Sequence, residues 1–461
     1  MNNYESYKKT DIPWLGEIPS HWETKKIGKI FDIRKEKNSP VKTKEVLSLS
    51  SMYGVSLYSE RKEKGGNKPK ENLEAYNLCY PGDILVNSMN IVAGSVGISN
   101  YFGAISPVYY SLQNLSEKKY SKYYLEYLFR NYNFQRSLVG LGKGIQMSET
   151  EDGRLFTVRM RISWDTLKSQ EFPTPPIEEQ IQIANYLDWK INEIDRLILI
   201  EKEQIKELEN LKQKYIDKLI DSISNEFKPL KSIFDFGKGL SITKENLGEN
   251  GVRCISYGEI HNKFIFSFSS ANPNLKGLEK TEGITISKFA ELKKNDFIFA
   301  DTSEDLKGCG NFTFLENDIK RVYAGYHTVV AKPILIFNPR YVAYYLESNK
   351  WRKQIRMEVK GIKVYSITQT ILKSSKLQLP EIDIQESVSK KIDAFVRYKN
   401  ALISIMDEKI SNLQALKQSL IAEVVTGKID VRNITIPQYE KVETIFETDN
   451  IDETEVQDYG D

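Results

Sequence analysis

The sequence predicts an α+β protein: two mixed α/β modules separated by two long helices that form an intramolecular antiparallel coiled coil with pseudo-twofold symmetry. Three observations lead there. Short identities recur in one order a little over 200 residues apart, each half carries a long segment with coiled-coil spacing, and prolines stand at the start of both segments.

The repeat begins inside the modules. PGDILV at Pro81–Val86 answers to KNDFIF at Lys294–Phe299, each an acidic turn leading into an apolar, strand-like run. YSKYYLE at Tyr120–Glu126 answers to YVAYYLE at Tyr341–Glu347, a helical pattern in both places. KGI recurs at Lys143–Ile145 and Lys360–Ile362, PPIEEQ at Pro175–Gln180 answers to PEIDIQ at Pro380–Gln385, and LKQ recurs at Leu211 and Leu416. Other strand-like runs (Val108–Leu112, Phe264–Phe268, Thr328–Val330) are broken by glycine and asparagine, so each module reads as mixed α/β.

One heptad register fits both helical segments at a constant offset of 205 residues. The first places Leu187, Ile191, Ile194, Ile198, Ile205, Leu208, Tyr215 and Leu219 on a seam, and the second places Ile392, Val396, Ile403, Met406, Ile410, Leu413, Leu420 and Val424. Alternating steps of four and three mark a coiled-coil seam, and two seams in matching phase within one chain are most economically satisfied by each other. Each also carries a lysine at one seam position, Lys212 and Lys417, where a polar residue sets register. Prolines at Pro173, Pro175, Pro176 and Pro380 suit a first helical turn and block helix upstream. Thr426-Gly427 supplies a stop for the second helix, while the first ends in a stretch without glycine, so its exit must differ. The organisation expected is a first module at 1–176, a first helix at 177–225, a second module at 226–380, a second helix at 381–430, and a disordered acidic tail at 431–461.

Composition narrows the function classes. With 40% hydrophobic, 28% charged and 11% aromatic residues the chain is globular, and its longest apolar stretches are far shorter than the roughly 20 residues of a membrane span. The amino terminus lacks the apolar core of a secretory signal, and Cys79, Cys254 and Cys309 form no CxxC pair, so a cytoplasmic protein with reduced thiols is expected. Net charge is +2, but residues 440–461 carry −8, which leaves +10 on the rest, a moderately basic body of the kind that sits on phosphate.

No constellation for chemistry emerges. His21, His261 and His327 are far apart and lack metal-ligand spacing, so no metal site is expected. Gly140–Gly144 has glycines without the spacing or the hydroxyl of a phosphate-binding loop, and no Asn-Pro-Pro-aromatic motif of base-methylating enzymes is present. No catalytic residue is therefore assigned, and the chain is expected to be no enzyme and to bind no cofactor. Basic clusters are better represented. Arg61, Lys62, Lys64, Lys68 and Lys70 surround Gly65-Gly66; Arg352, Lys353, Arg356, Lys360 and Lys363 gather near the second KGI, with Lys143 at the first. These are the candidate DNA contacts, because cationic side chains in equivalent places of two repeats suit a phosphate backbone.

With these motifs in hand, the chain resembles the specificity subunit of type I restriction-modification systems. The likeness rests on IPWLGEIPSHW at Ile12–Trp22, the PGDILV turn, PTPPIEEQIQIANYLD from Pro173, and LKQSLIAEVVTGKIDVR from Leu416. The resemblance implies two target-recognition domains, each reading one half of a split site in double-stranded DNA, with the helices as a ruler. It implies a non-catalytic subunit, two methyltransferase subunits docked on the helices, where Gln180 and Gln385 mark the matching positions, and a motor-nuclease subunit. S-adenosylmethionine, ATP and magnesium then belong to the partners. Two other readings are a methyltransferase or nuclease in its own right, and a coiled-coil scaffold whose modules bind protein rather than DNA.

Overall fold

The computed structural model describes residues 3–51, 54–61, 68–142, 161–224, 226–280, 282–361 and 364–442, and the backbone of 147–149 and 155–157. The chain forms two compact units, one comprising residues up to 202 with those from 406 onward, the other residues 203–405. Each long helix runs through the division, so each unit holds one module, one end of the first helix and the opposite end of the second.

In the first unit the sheet has the order Phe31–Ile33, Tyr109–Asn114, Ile84–Asn87, Val96–Ile98, antiparallel throughout. The second unit repeats this as Phe234–Lys238, Thr328–Pro333, Phe297–Ala300 and Phe312–Asn317, and adds Phe266–Ser269 in parallel at the edge. The central strands are the apolar runs after the repeated acidic turn, and every residue in both is buried. A run without alternation requires cover on both faces. Ile84 and Val86 face the main core while Leu85 faces a second cluster with Leu47, Leu49 and Ile105. Likewise Phe297 and Phe299 face one core of the second unit, and Ile298 and Ala300 another.

The acidic turns owe their recurrence to burial. Asp83 accepts a bidentate pair from Arg34 at 2.7 and 3.0 Å, and further bonds from the Ser111 hydroxyl and the Tyr80 N–H. Asp296 accepts from the Lys332 ammonium and the Lys293 N–H, both at 2.8 Å, and burial pushes its carboxyl above the usual range. A buried charge persists only when paired and hydrogen-bonded, so these aspartates belong to the framework.

Each module closes where its long helix starts. Strand Glu171–Thr174 pairs with Glu23–Lys26, and Lys376–Gln378 pairs with Phe227–Pro229. The first long helix is Ile177–Asp221, 45 residues, and the second is Ile382–Val425, 44 residues. In the first unit Lys417 bonds both Asp195 oxygens at 2.8 Å and Lys409 pairs with Glu201. In the second unit Lys399 pairs with Glu209, and the rings of Tyr215 and Phe395 stack at 4.7 Å. Partner numbers rise on one helix as they fall on the other, which is the antiparallel pairing the seams require. Seam residues are fully buried toward the helix ends, where the modules pack on them, as at Leu187 and Val424 in one unit and Ile392 in the other. The matched lysines part company: Lys417 reaches the facing helix, whereas Lys212 lies 3.4 Å from Glu347 of its own module.

The helix exits differ in kind. At the second, Gly427 has φ +75°, its N–H donates to the Val424 carbonyl, and Lys428 N–H donates to Glu423, the paired bonds of a Schellman terminus. At the first, with no glycine, the Gln378 amide donates to the Ile223 carbonyl at 3.0 Å. Beyond the second helix the chain does not become a tail at 431. Val431 is buried, Gln182 donates to the carbonyls of Val431 and Ile434, and Asn192 is bonded by Glu440 O and Val442 N, so residues 431–442 lie along the first helix. The acidic remainder, 443–461, lies outside the described residues. The three cysteines are unpaired and buried; burial pushes the Cys79 thiol up to about 11 and Cys254 up to about 12. No described helix is long and apolar enough to cross a membrane.

Candidate nucleic-acid interface

The two glutamines that open the long helices are internal. Gln180 is 1% exposed; its carbonyl accepts from Ser121 N–H at 2.9 Å and its amide donates to the carbonyls of Lys119 and Pro175. Gln385 is 2% exposed, accepts from Asn338 N–H at 2.9 Å and donates to the Pro380 carbonyl. Ser121 and Asn338 are the N-cap residues of the short helices Lys122–Arg130 and Pro339–Glu347. Each glutamine therefore staples the first turn of a long helix to the cap of a short one. Their polar atoms are consumed within their own unit, so these two side chains are not themselves presented to a partner. About two turns further on, Asp188 and Asp393 accept from Tyr127 and Tyr344 of the same short helices, at 2.6 and 2.5 Å.

The basic candidates divide. Lys68 and Lys70 are exposed, and Arg61 lies with its guanidinium 5.7 Å from the Tyr58 ring centre. Lys353 and Lys360 are exposed, and Arg356 is half-buried with its guanidinium donating to the carbonyls of Leu306 and Lys307. Lys62, Lys64, Lys143 and Lys363 lie outside the described residues. Arg352 is corrected. Its helix, Asn349–Glu358, turns Trp351 and Ile355 inward, and Arg352 follows them to 8% exposure. Its guanidinium donates to Cys309 O at 3.1 Å and Asn311 Oδ1 at 2.9 Å, and burial lowers its pKa to about 10. The Trp351-to-Ile355 spacing was the available signal that this arginine shares an inward face.

What Arg352 does instead is hold a loop. It orients Asn311, whose amide donates to His261 Nδ1 at 2.9 Å, and His261 Nε2 then donates to the Thr302 carbonyl at 2.8 Å. Thr302 lies just beyond the central strand. Here both units use one backbone framework. In the first, Ser88 N–H donates to Val108 O at 3.1 Å, and Ile162 N–H donates to Ser88 O at 2.9 Å. In the second, Asp301 N–H donates to His327 O at 3.1 Å, and Ile367 N–H donates to Asp301 O at 2.7 Å. Ile162 and Ile367 each precede the N-cap of a short helix, Trp164–Ser169 or Gln369–Ser374. In each unit the residue before that N-cap is therefore tied to the end of the central strand. In the second unit Tyr365–Ser366 also pairs with Thr302–Ser303, beside the exposed Lys360.

The framework is shared but its side chains are not. In the first unit the Ser88 hydroxyl turns in to the Val108 carbonyl. In the second, His327 is exposed, with φ +54° and its Nδ1 3.1 Å from Asp301 Oδ1, while Tyr257 and Tyr326 set their rings edgewise against it at 5.3 and 5.9 Å. An end-of-strand position with shared backbone hydrogen bonds and varied side-chain chemistry is suited to recognition rather than to stability. Sequence reasoning missed it, since nothing along the chain links Asp301 to His327. A histidine beside the tyrosine of a Gly-Tyr-His turn was the one local hint.

Two modules of one fold, each packed on the start of one long helix and the end of the other, define the class of duplicated recognition subunits. The family described as type I restriction modification DNA specificity domain matches this chain twice, at residues 19–210 and 223–412, and the chain belongs to that family. It is 24% identical over 464 residues to a protein of Methanocaldococcus jannaschii assigned as the type I restriction enzyme MjaX specificity subunit, covering 93% of this chain and 97% of that one. It is 23% identical over 287 residues to the MjaVIII specificity subunit of the same organism, covering 57% of this chain and 63% of that one. Its fold is similar to a chain in a solved type I restriction-modification system, with TM-score 0.63 and 12% identity, covering 89% of this chain and 99% of that chain.

Proposed function

We propose that this protein is the DNA-recognition subunit of a type I restriction-modification complex, each module contacting one half of a bipartite target. The observation that carries this is the duplicated framework at the end of the central strand, shared in its backbone hydrogen bonds and different in its side chains, on a chain of the specificity family. Two modules of one fold and unlike surface chemistry suit two unlike half-sites. Lys68, Lys70, Lys353 and Lys360, all exposed, would supply the sequence-independent affinity for phosphate. The subunit has no catalytic role in this reading; S-adenosylmethionine, ATP and magnesium are held by its partners.

Methyltransferase docking is assigned to the long helices, on residues other than Gln180 and Gln385. Outside the seam, Ile200 and its equivalent Ile405 are 39% and 62% exposed, and Leu211 and its equivalent Leu416 are 48% and 52% exposed. Each unit thus offers exposed apolar positions from both helices, Ile200 with Leu416 and Leu211 with Ile405 at equivalent places, which suits two copies of one partner. A motor-nuclease subunit would join that assembly. Binding of the co-expressed methyltransferase complex to duplexes carrying the methylated motif of the source genome tests the proposal. Sequence-dependent, salt-sensitive affinity is expected; its absence would favour a scaffold whose modules bind protein.

A further inference from the structure

Among the described residues of the second unit, His327 and Asp301 form a pair that the framework of the module does not need. The first unit builds the same backbone bonds with Val108 and Ser88 in their places. Yet His327 occupies the left-handed backbone region, which costs free energy for a residue with a side chain and persists where surrounding structure enforces it. That structure is present: Asp301 N–H holds the His327 carbonyl, Asp301 Oδ1 holds its ring, and Tyr257 and Tyr326 pack edgewise on two sides. The ring is fixed in direction while 55% of the side chain stays in solvent. Asp301 in turn is anchored by Ile367 N–H, next to the Thr302 carbonyl held through His261, Asn311 and Arg352. A rigid, exposed imidazole beside the basic Lys360 segment is built to be read against something.

The chemistry of the pair says what. A carboxylate accepts hydrogen bonds only, so Asp301 fixes a proton on Nδ1, and in the ring that carries this proton alone Nε2 is an acceptor. In the major groove the donors offered by base edges are the exocyclic amino groups, N6 of adenine and N4 of cytosine. We infer that His327, positioned by Asp301, reads one base of the half-site contacted by the second unit, accepting a hydrogen bond from the amino group of an adenine or a cytosine. This rests on the proposed DNA-recognition role and names a residue and a base class within it. Val108 at the equivalent place offers no polar side-chain atom, so the two modules differ here in kind.

The test uses the complex co-expressed with its methyltransferase subunits and a set of duplexes, each with one base pair of the bipartite site changed. His327→Asn suits the left-handed backbone, which asparagine tolerates, but falls short of the position of Nε2. Asp301→Asn keeps the shape and permits the other ring tautomer. Both variants are expected to lose about 5- to 30-fold of discrimination, the lower part of the range for one base contact, at a single pair bearing adenine or cytosine on the strand read. The other half-site and the salt slope stay as in the parent, because no phosphate contact is removed. Discrimination unchanged at every position overturns the inference, as does an equal loss at all positions or relaxed pairs in both half-sites. If the parent complex itself shows no sequence dependence, the recognition role fails and the inference with it, an outcome distinct from failure of His327 alone.

Discussion

Replacing Gln180 by Met separates a structural staple from a docking residue. Methionine keeps the length of the side chain and removes its polar atoms. The wild-type amide makes three bonds, at 2.9 Å from Ser121 N, 3.0 Å to Lys119 O and 2.8 Å to Pro175 O. At a net worth of about 1 kcal/mol each, their loss costs about 2–3 kcal/mol, the lower figure applying if water reaches the half-buried Ser121 N–H. Gln385 makes two such bonds, at 2.9 and 2.7 Å, and Gln385→Met is expected to cost about 1–2 kcal/mol. The two effects are separable by fluorescence. Trp14, Trp22, Trp164 and Trp189 lie in the first unit and Trp351 is the one tryptophan of the second. Urea unfolding followed in a Trp351→Phe background therefore reports the first unit, where Gln180→Met lowers the midpoint. At low urea, where the variant is folded, affinity for the methyltransferase subunits stays at the parent value. An unchanged midpoint with weakened partner binding would refute the reasoning and return Gln180 to the docking surface.

Gly427→Ala is expected to destabilise the first unit by about 2–4 kcal/mol, combining the left-handed backbone penalty with overpacking, since the added Cβ would lie 2.4 Å from Pro19 Cδ. Unfolding of the first unit at the parent urea midpoint would show that the terminus adapts. Arg352→Met is expected to lower the stability of the second unit by about 1–3 kcal/mol, through the carbonyl of Cys309 and the side chain of Asn311 left without their donor, and to leave the salt slope of DNA binding unchanged. A slope reduced by about one in a salt titration would place that arginine on a phosphate after all. Deleting one heptad from both long helices shortens each by about 10 Å, and methylation mapping of the deletion protein should find a spacer shorter by about three base pairs. An unaltered spacer would show that helix length does not set it.

The sequence by itself determined the large architecture, because that architecture rests on periodicity. The repeated heptad register marked both long helices, their pairing and the residues of the seam, since a 3.5-residue spacing has only one geometric meaning. The buried central strands were legible as apolar runs behind Asp83 and Asp296, and Gly427 as a helix stop, because each follows from the local backbone. What only the tertiary structure decided concerns polar side chains. Gln180 and Gln385 mark matching positions on helices expected to carry partner subunits, yet the modules fold back and consume their amides. Arg352 sits in a row of bases that look alike in one dimension, and only the inward turn of Trp351 and Ile355 separates it from Lys353. Asp301 and His327 stand on either side of the strand Phe312–Asn317 and the turn that follows it, and become neighbours because two antiparallel strands end side by side. A polar group's role depends on which partners surround it in space, and hydrogen bonds between residues distant in sequence leave no period along the chain by which to foresee them.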